Sequence, residues 1–185
     1  MPAELAPRPR VTLAVATSID GYIDKPGVDW QSTEDWQFFS QLLEDSDSVI
    51  MGSTTYLANE SRIKPSPNKP RVVMTHSPEF YSNRARPGIE FSNESPQAIL
   101  ARLAMNGSRS TLLAGGSQIY GLYLDAGLVD EMYITTEPVI LGSGTIMVSG
   151  LSSAVNKLTL QGVTPLNQTG TIVSHYSVSK AGDIS

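Results

Sequence analysis

The chain has 185 residues, of which 40% are hydrophobic and 17% charged, enough to bury the core of one domain. Thirteen basic and eighteen acidic residues give a net charge of -5, so we expect no nucleic-acid partner. The absence of cysteine excludes disulfides, thiolate metal sites and cysteine nucleophiles, and with only two histidines we expect no metal site. No run of about eighteen apolar residues occurs, which predicts a cytoplasmic protein without a membrane partner.

Apolar runs of strand length alternate with helical patterns through most of the chain. Residues 1–10 contain three prolines and are predicted to be a flexible segment, which leaves residues 11–180 as a single domain. In the first helical pattern, Ser32 or Thr33 is the N-cap, and the apolar residues are spaced to face the core: Trp36, Phe39, Leu42 and Leu43. The predicted elements are, in chain order, strand 11–16, helix from 33, strand 48–52, short helix from 53, strand 71–76, minor strand at 89, helix from 96, strand 110–116, helix from 117 and strand 130–141.

The end of the chain reads as strands only. The segments "KLTLQGVTPL" and "TGTIVSHYSV" are predicted to close the domain as an antiparallel hairpin, and "GSGT" at Gly142 to Thr145 reads as a turn between strands. The whole pattern predicts one α/β domain with a mixed, mainly parallel central sheet and helices on both faces.

Three predicted strands end in small residues and run straight into a helix. These turns are Gly52 with Ser53, Thr54 and Thr55; Thr75 with His76 and Ser77; and Gly115–Gly116 with Ser117 and Gln118. In an open α/β sheet, ligands bind at the carboxyl ends of the strands, and helix amino termini favour anions. Each turn alone is typical of an ordinary helix cap. With three such turns in one domain, the sequence favours an anion site and three separate helix caps equally. Neither Gly-x-Gly-x-x-Gly in its usual context nor a P-loop is present.

Two further stretches carry polar side chains near predicted strand ends. "ATSIDGYID" places Ser18 and Asp20 at the edge of the sheet, although an Asp-Gly pair is most often a plain turn. "DWQSTEDW" places Glu34 and Asp35 in the first turn of a helix, where carboxylates usually lie on the surface and complement the helix dipole. A carboxylate buried among aromatic residues, Trp30 among them, would instead have a raised pKa and could donate a proton. The sequence alone favours the surface interpretation.

Four segments resemble dihydrofolate-reductase-like proteins, and most closely the reductase domain at the carboxyl terminus of bifunctional riboflavin-biosynthesis deaminase-reductases. They are "ATSIDGYID", "EDWQFFSQLLEDSDSVIMGSTTY", "LLAGGSQIYGLYLDAGLVDEMYI" and "EPVILGSGT". The resemblance implies a three-layer dihydrofolate-reductase-like fold in a stand-alone reductase. It also implies NADPH as the cofactor, with NADH as the alternative.

The resemblance also assigns residues to the cofactor. It implies a cis peptide between Gly115 and Gly116 beside the pyrophosphate. Relatives commonly place an arginine after the glycine at position 52, where it meets the 2′-phosphate of NADPH; here that residue is Ser53. The residues implied to contact the cofactor are Ala16, Ile23, Gly52, Ser53, Thr54, Thr55, Thr75, His76, Ser77, Gly115, Gly116, Ser117, Gln118 and Ile119.

On the substrate side, Asp35 is the nearest match to the family's catalytic carboxylate. The residues implied to bind substrate are Ser18, Asp20, Trp30, Glu34 and Thr135. The expected reaction is reduction of 5-amino-6-(5-phosphoribosylamino)uracil or a related heterocycle. The alternatives are a dihydrofolate- or pterin-type reductase of the same fold, or a nucleotide-binding relative without catalysis. Riboflavin-type relatives often form homodimers, so the resemblance implies a homodimer here.

Overall fold

The computed structural model describes residues 8–152 and 156–179. The strands are β1 (Arg10–Ser18), β2 (Tyr22–Asp24), β3 (Ser48–Gly52), β4 (Arg71–Met74), β5 (Ile89–Ser92), β6 (Ser110–Leu113), β7 (Glu131–Glu137), β8 (Thr145–Ile146), β9 (Leu158–Pro165) and β10 (Ile172–Val178). The helices are α1 (Thr33–Asp45), α2 (Ser53–Asn59), α3 (Pro96–Met105) and α4 (Ser117–Asp125), with a 3-10 helix at Pro78–Arg84.

Eight strands form one sheet in the order β5-β4-β3-β6-β1-β7-β10-β9, and β2 pairs with β8 outside it. All neighbours from β5 to β7 are parallel, while β10 is antiparallel to both β7 and β9. The predicted mainly parallel sheet with an antiparallel closing hairpin is therefore confirmed.

Helices cover both faces of the sheet. On one face, buried residues of α3 and α4, such as Leu100 and Tyr123, pack with Leu13 of β1 in the larger core cluster. On the other face, Tyr56 of α2 and the partly buried Leu43 of α1 pack with a second cluster. This arrangement is the predicted three-layer fold. Among the described residues, no helix is both long enough and apolar enough to cross a membrane.

Local sequence accounts for the main boundaries. Ser95 caps α3 by accepting a hydrogen bond from the amide of Ala98, and Pro96 follows at the first helical position. Gly142 and Gly144 have positive φ in the predicted turn between β7 and β8. β7 ends at Glu137 rather than running on to residue 141, because Pro138 has no N–H to donate to the sheet.

Three expectations differ from the structure. β4 leads through residues 75–77 into a 3-10 helix that begins at Pro78, not directly into an α-helix. Two of the four apolar residues of α1 do not face a closed core, because this side of the helix borders an open cleft: Trp36 is 47% exposed and Phe39 is half-buried, whereas Leu43 packs against the second cluster. Of the segment predicted to be flexible, residues 1–7 lie outside the described part of the chain, whereas Arg8 donates two hydrogen bonds to Asp130.

Candidate active site

A cleft of about 1840 Å³ opens where the central parallel strands end. Gly52 lines it from the end of β3, Met74 from the end of β4 and Ala114 from just beyond β6. Ligands of open α/β sheets bind at this edge. Every residue that the resemblance assigns to the cofactor lines this one cleft, and so do Asp35 and Thr135. Residues scattered over much of the sequence thus come together in one place.

The paired glycines form part of the cleft wall. The peptide between Gly115 and Gly116 is cis, as the resemblance implies. The Gly115 carbonyl accepts a hydrogen bond from the Gly52 amide at 2.7 Å, which ties the ends of two strands together. Gly115 has φ of +106°, and a Cβ there would lie 3.2 Å from the hydroxyl of Tyr120. A Cβ on Gly116 would lie 3.2 Å from Oγ1 of Thr55, so both positions need glycine to keep this wall bare.

Helix α4 begins at this wall without a side-chain cap. Its N-cap residue is Gly116, which has no side chain to accept from the first-turn amides. The hydroxyl of Ser117 is turned to Ser149, 3.0 Å away, and so does not cap the helix either. Uncapped amides and the helix dipole suit an anionic group. The bare glycine wall and these amides fit the pyrophosphate of a dinucleotide.

Hydroxyl groups line the cleft at the start of α2 and just beyond β4. Thr75 accepts a hydrogen bond from the Ser77 amide at 3.3 Å, and His76 is exposed. Glu94 also lines this part of the cleft, and its pKa is lowered mainly by the side chain of Arg102. Arg102 is thereby held in an ion pair, 2.7 Å from the Glu94 carboxylate. Ser53 supplies a hydroxyl where the resemblance implies an arginine.

Asp35 is buried, with only 7% of its surface exposed, so the surface interpretation of this residue is wrong. Ser32 caps α1 by accepting from the Asp35 amide at 3.1 Å, and this helix packs with the Asp35 side turned toward β7. Burial raises the pKa of Asp35, a hydrogen bond from the Thr135 side chain lowers it, and the charge of Glu137 raises it again. The net shift is upward, as a proton donor requires.

Aromatic side chains line the cleft together with Asp35, and two of them, Phe38 and Tyr133, were not singled out from the sequence. Phe38 packs against Tyr133 of β7, with ring centroids 5.6 Å apart, and both line the cleft. Trp36 also lines the cleft, and the guanidinium of Arg62 lies 5.8 Å from its ring centroid. The helical spacing predicted an apolar face on α1. It could not show whether that face packs in the core or lines the cleft, because both environments favour apolar residues.

Glu137 was also missed. Its side chain is 2% exposed at the end of β7, on the same face as Thr135. The sequence could have indicated Glu137, because side chains alternate along a strand. Once Thr135 is assigned to the cleft, residue 137 is expected on the same face.

Four predicted substrate residues do not line the cleft, namely Ser18, Asp20, Trp30 and Glu34. Asp20 instead joins two loops: its carboxylate accepts from the Ser18 hydroxyl at 2.7 Å and from the Leu141 amide at 3.0 Å. These bonds, that of Ser18 first, lower the pKa of Asp20 to about 2. The Ser18 hydroxyl also accepts from the Tyr22 amide at 3.0 Å. Both side chains are thus engaged in holding the loops beside the cleft.

Comparison with known proteins agrees with this architecture. A family model described as the RibD C-terminal domain matches residues 9–171. The uncharacterized protein YwjB of Bacillus subtilis (strain 168) is 30% identical over 174 residues, covering 90% of this chain and 97% of YwjB.

Two solved structures share the fold. A diaminohydroxyphosphoribosylaminopyrimidine deaminase/5-amino-6-(5-phosphoribosylamino)uracil reductase from Thermotoga maritima superposes with a TM-score of 0.74 at 22% identity, covering 93% of this chain and 57% of that chain. A dihydrofolate reductase from Enterococcus faecalis, complexed with NADP(H), superposes with a TM-score of 0.64 at 20% identity, covering 92% and 97%.

Proposed function

We propose, since this chain belongs to the RibD C-terminal domain family, that it is an NAD(P)H-dependent reductase of the riboflavin-biosynthesis type. Its substrate is 5-amino-6-(5-phosphoribosylamino)uracil or a related heterocycle. The observation that carries the proposal is one cleft with a bare glycine wall, which fits a dinucleotide, and a buried acid, Asp35. The Thermotoga relative is named for a reductase acting on this uracil derivative, and the Enterococcus relative binds NADP(H).

Different residues of the cleft would bind the nicotinamide and donate the proton in such a reaction. The reduced nicotinamide would supply a hydride to the carbon of a C=N bond, which the phosphoribosylamino group presents when its sugar ring opens to the imine. Ala16 and Ile23 line the cleft where the resemblance places that ring. Asp35 holds the proton that the nitrogen of the same bond takes up, so the bond is reduced by one hydride and one proton.

Basic residues beside Trp36 support a phosphorylated substrate. The cleft lining includes Arg62, Lys64, Lys69 and Arg71. Lys69 donates to the backbone carbonyl of Glu44 at 2.8 Å, and Arg71 to that of Lys64 at 2.8 Å, which fixes their positions. The guanidinium of Arg62 lies over the Trp36 ring and is exposed. A substrate phosphate would meet these cations next to the aromatic wall.

Titration with NADPH and NADH tests the proposal. We expect either cofactor to quench the fluorescence of Trp36, which lines the cleft, and the matched variants Trp36→Phe and Trp30→Phe to separate its signal from that of Trp30. Addition of the uracil derivative should then oxidise the bound cofactor. No response to either cofactor would refute the proposal. Oxidation with dihydrofolate alone would favour a pterin-type reductase, and binding without oxidation of cofactor by either substrate a non-catalytic nucleotide-binding protein.

The cofactor preference gives a second test at Ser53. We expect Ser53→Arg to raise the affinity for NADPH by about 10-fold or more while leaving that for NADH nearly unchanged, because a guanidinium makes a charge-assisted contact with a phosphate. Ser53→Gln, which is long but neutral, is the control. Dissociation constants measured for both cofactors decide the matter. An equal change for NADPH and NADH would contradict the placement of the 2′-phosphate beside Ser53.

We also propose a homodimer that forms through β9. This strand is exposed along its whole length at one edge of the sheet, and it contains no charged residue. An uncharged edge strand is a ready partner for a second strand, and natural proteins usually protect such an edge. The molar mass measured by sedimentation tests this proposal, and a monomer at all concentrations would contradict it.

A further inference from the structure

Glu137 is a buried acid to which the proposed reaction gives no part. Its Oε1 accepts hydrogen bonds from the amide and the hydroxyl of Ser32, at 2.8 and 2.7 Å. Its Oε2 accepts from the hydroxyl of Thr171 at 2.7 Å. All three partners donate, which is the arrangement that an ionised carboxylate requires. A charge this deeply buried is stable only with hydrogen-bond donors around it, and Glu137 has three of them.

Ser32 connects Glu137 to Asp35. The Ser32 hydroxyl that donates to Glu137 also accepts from the Asp35 amide, and Ser32 is the N-cap of α1. Glu137 therefore fixes the start of the helix that carries Asp35. From the other side, Thr135 precedes Glu137 by two residues on the same face of β7, and its side chain is hydrogen-bonded to the Asp35 carboxyl. Glu137, which does not itself line the cleft, is thus connected to Asp35 from two sides.

The charges around Asp35 come from few elements. On β7, Glu137 adds to the effect of burial and raises the pKa of Asp35. On α4, the hydroxyl of Tyr120 donates to the Ala14 carbonyl at 2.8 Å, and burial raises the pKa of Tyr120, which keeps it neutral. Tyr133 lies on the same face of β7 and is stacked on His175 of β10, with ring centroids 4.3 Å apart. β1 contributes only Ala14, Val15 and Ala16 to the cleft lining. On α1 itself, Glu34 is half-buried and does not line the cleft.

We propose that Glu137 is a positioning residue for Asp35: it anchors Ser32 at the start of α1 and places a second carboxylate on β7, the strand that Asp35 faces. The consequence for turnover rests on the proposed function. The protonation of Asp35 does not rest on the proposed function, because it is a property of the free protein and can be measured without cofactor or substrate.

The test is the titration of the Asp35 side chain, followed by carbon-13 NMR of its carboxyl group in the free protein. We expect Glu137→Gln to move the titration of Asp35 to lower pH, because the variant lacks the charge that favours the protonated form. Glutamine keeps an oxygen for Ser32, and the Thr171 hydroxyl can turn to accept from its amide, so the anchor of α1 is retained. Glu131→Gln is the matched control, since Glu131 is buried on the same strand but bonds to His175 instead.

An unchanged Asp35 titration in folded Glu137→Gln would overturn the proposal, and so would an equal shift in Glu131→Gln. A second measurement needs no variant: in the wild-type protein the Asp35 carboxyl resonance should titrate at higher pH than that of an ordinary aspartic acid. Titration at or below that pH would overturn the proposal even if Glu137→Gln does not fold. If the protein reduces its substrate, the pH at which the rate begins to fall should move downward in Glu137→Gln by the same amount as the Asp35 titration.

Discussion

Replacing Asp35 with asparagine should lower the rate of substrate reduction by about 100- to 10,000-fold, the usual contribution of one positioned proton donor. Asparagine keeps the shape of the side chain and an oxygen for Thr135, but it has no proton to give. The dissociation constant of the cofactor should stay unchanged. Single-turnover oxidation of the bound cofactor measures the rate, and quenching of Trp36 measures the affinity.

The same variant should be more stable than the wild type at neutral pH. Burial raises the pKa of Asp35 in the folded state, so the folded protein binds this proton more tightly than the unfolded chain does. The free energy of unfolding contributed by Asp35 is therefore fully present below the unfolded pKa of about 3.9, and it is lost as the pH rises to the folded pKa. Asparagine does not titrate. Melting temperatures of the two proteins should differ less at pH 3 than at pH 8, and a less stable variant at pH 8 would contradict this account of Asp35.

Replacing Gly116 with valine should abolish cofactor binding and leave a folded protein. The new Cβ would lie 3.2 Å from Oγ1 of Thr55, and the branched side chain would fill the bare wall of the cleft at the start of α4. We expect the dissociation constant for NADPH to rise by about 100-fold or more, the effect of losing a group of well-placed contacts. Fluorescence titration measures it, and circular dichroism checks the fold.

Ala101→Val is the control, since Ala101 is exposed on α3 and does not line the cleft. It should bind cofactor as the wild type does. Wild-type affinity in Gly116→Val would refute the placement of the cofactor. The double variant Gly116→Val with Thr55→Ala separates two causes: recovered binding would assign the loss to the contact with Thr55, and continued loss would assign it to the filled wall.

The sequence was enough to predict the architecture. Continuous apolar runs such as residues 11–16 are typical of strands buried on both faces, and their alternation with helices leaves few arrangements. Gly52, Gly115 and Gly116 were assigned to a candidate site because three strand-to-helix turns of the same kind occur in the sequence; a single such turn would not have supported it. The cleft they line depends on strand order, which local patterns do not carry.

Burial of polar residues was the part that sequence could not supply. Asp20 and Asp35 both follow a strand or open a helix, and both were assigned to the substrate side. The structure joins Asp20 to the loop at Leu141 and buries Asp35 against β7. The difference arises from contacts made across more than a hundred residues, and no local propensity encodes them. The strand period placed Glu137 on the same face as Thr135, but its burial depends on Ser32 and Thr171, which are 105 and 34 residues away along the chain.

The position of β1 within the sheet has a consequence for biosynthesis. β1 is the first strand to leave the ribosome, yet its partners are β6 and β7, and Arg10 pairs with Ser110. At the usual elongation rate of 5–20 residues per second, about 5–20 s pass before the first partner strand is made. Throughout that time residues 11–16, five of them apolar, are without the strands that cover them in the folded protein. These apolar residues are therefore exposed to non-native contacts until β6 and β7 have emerged.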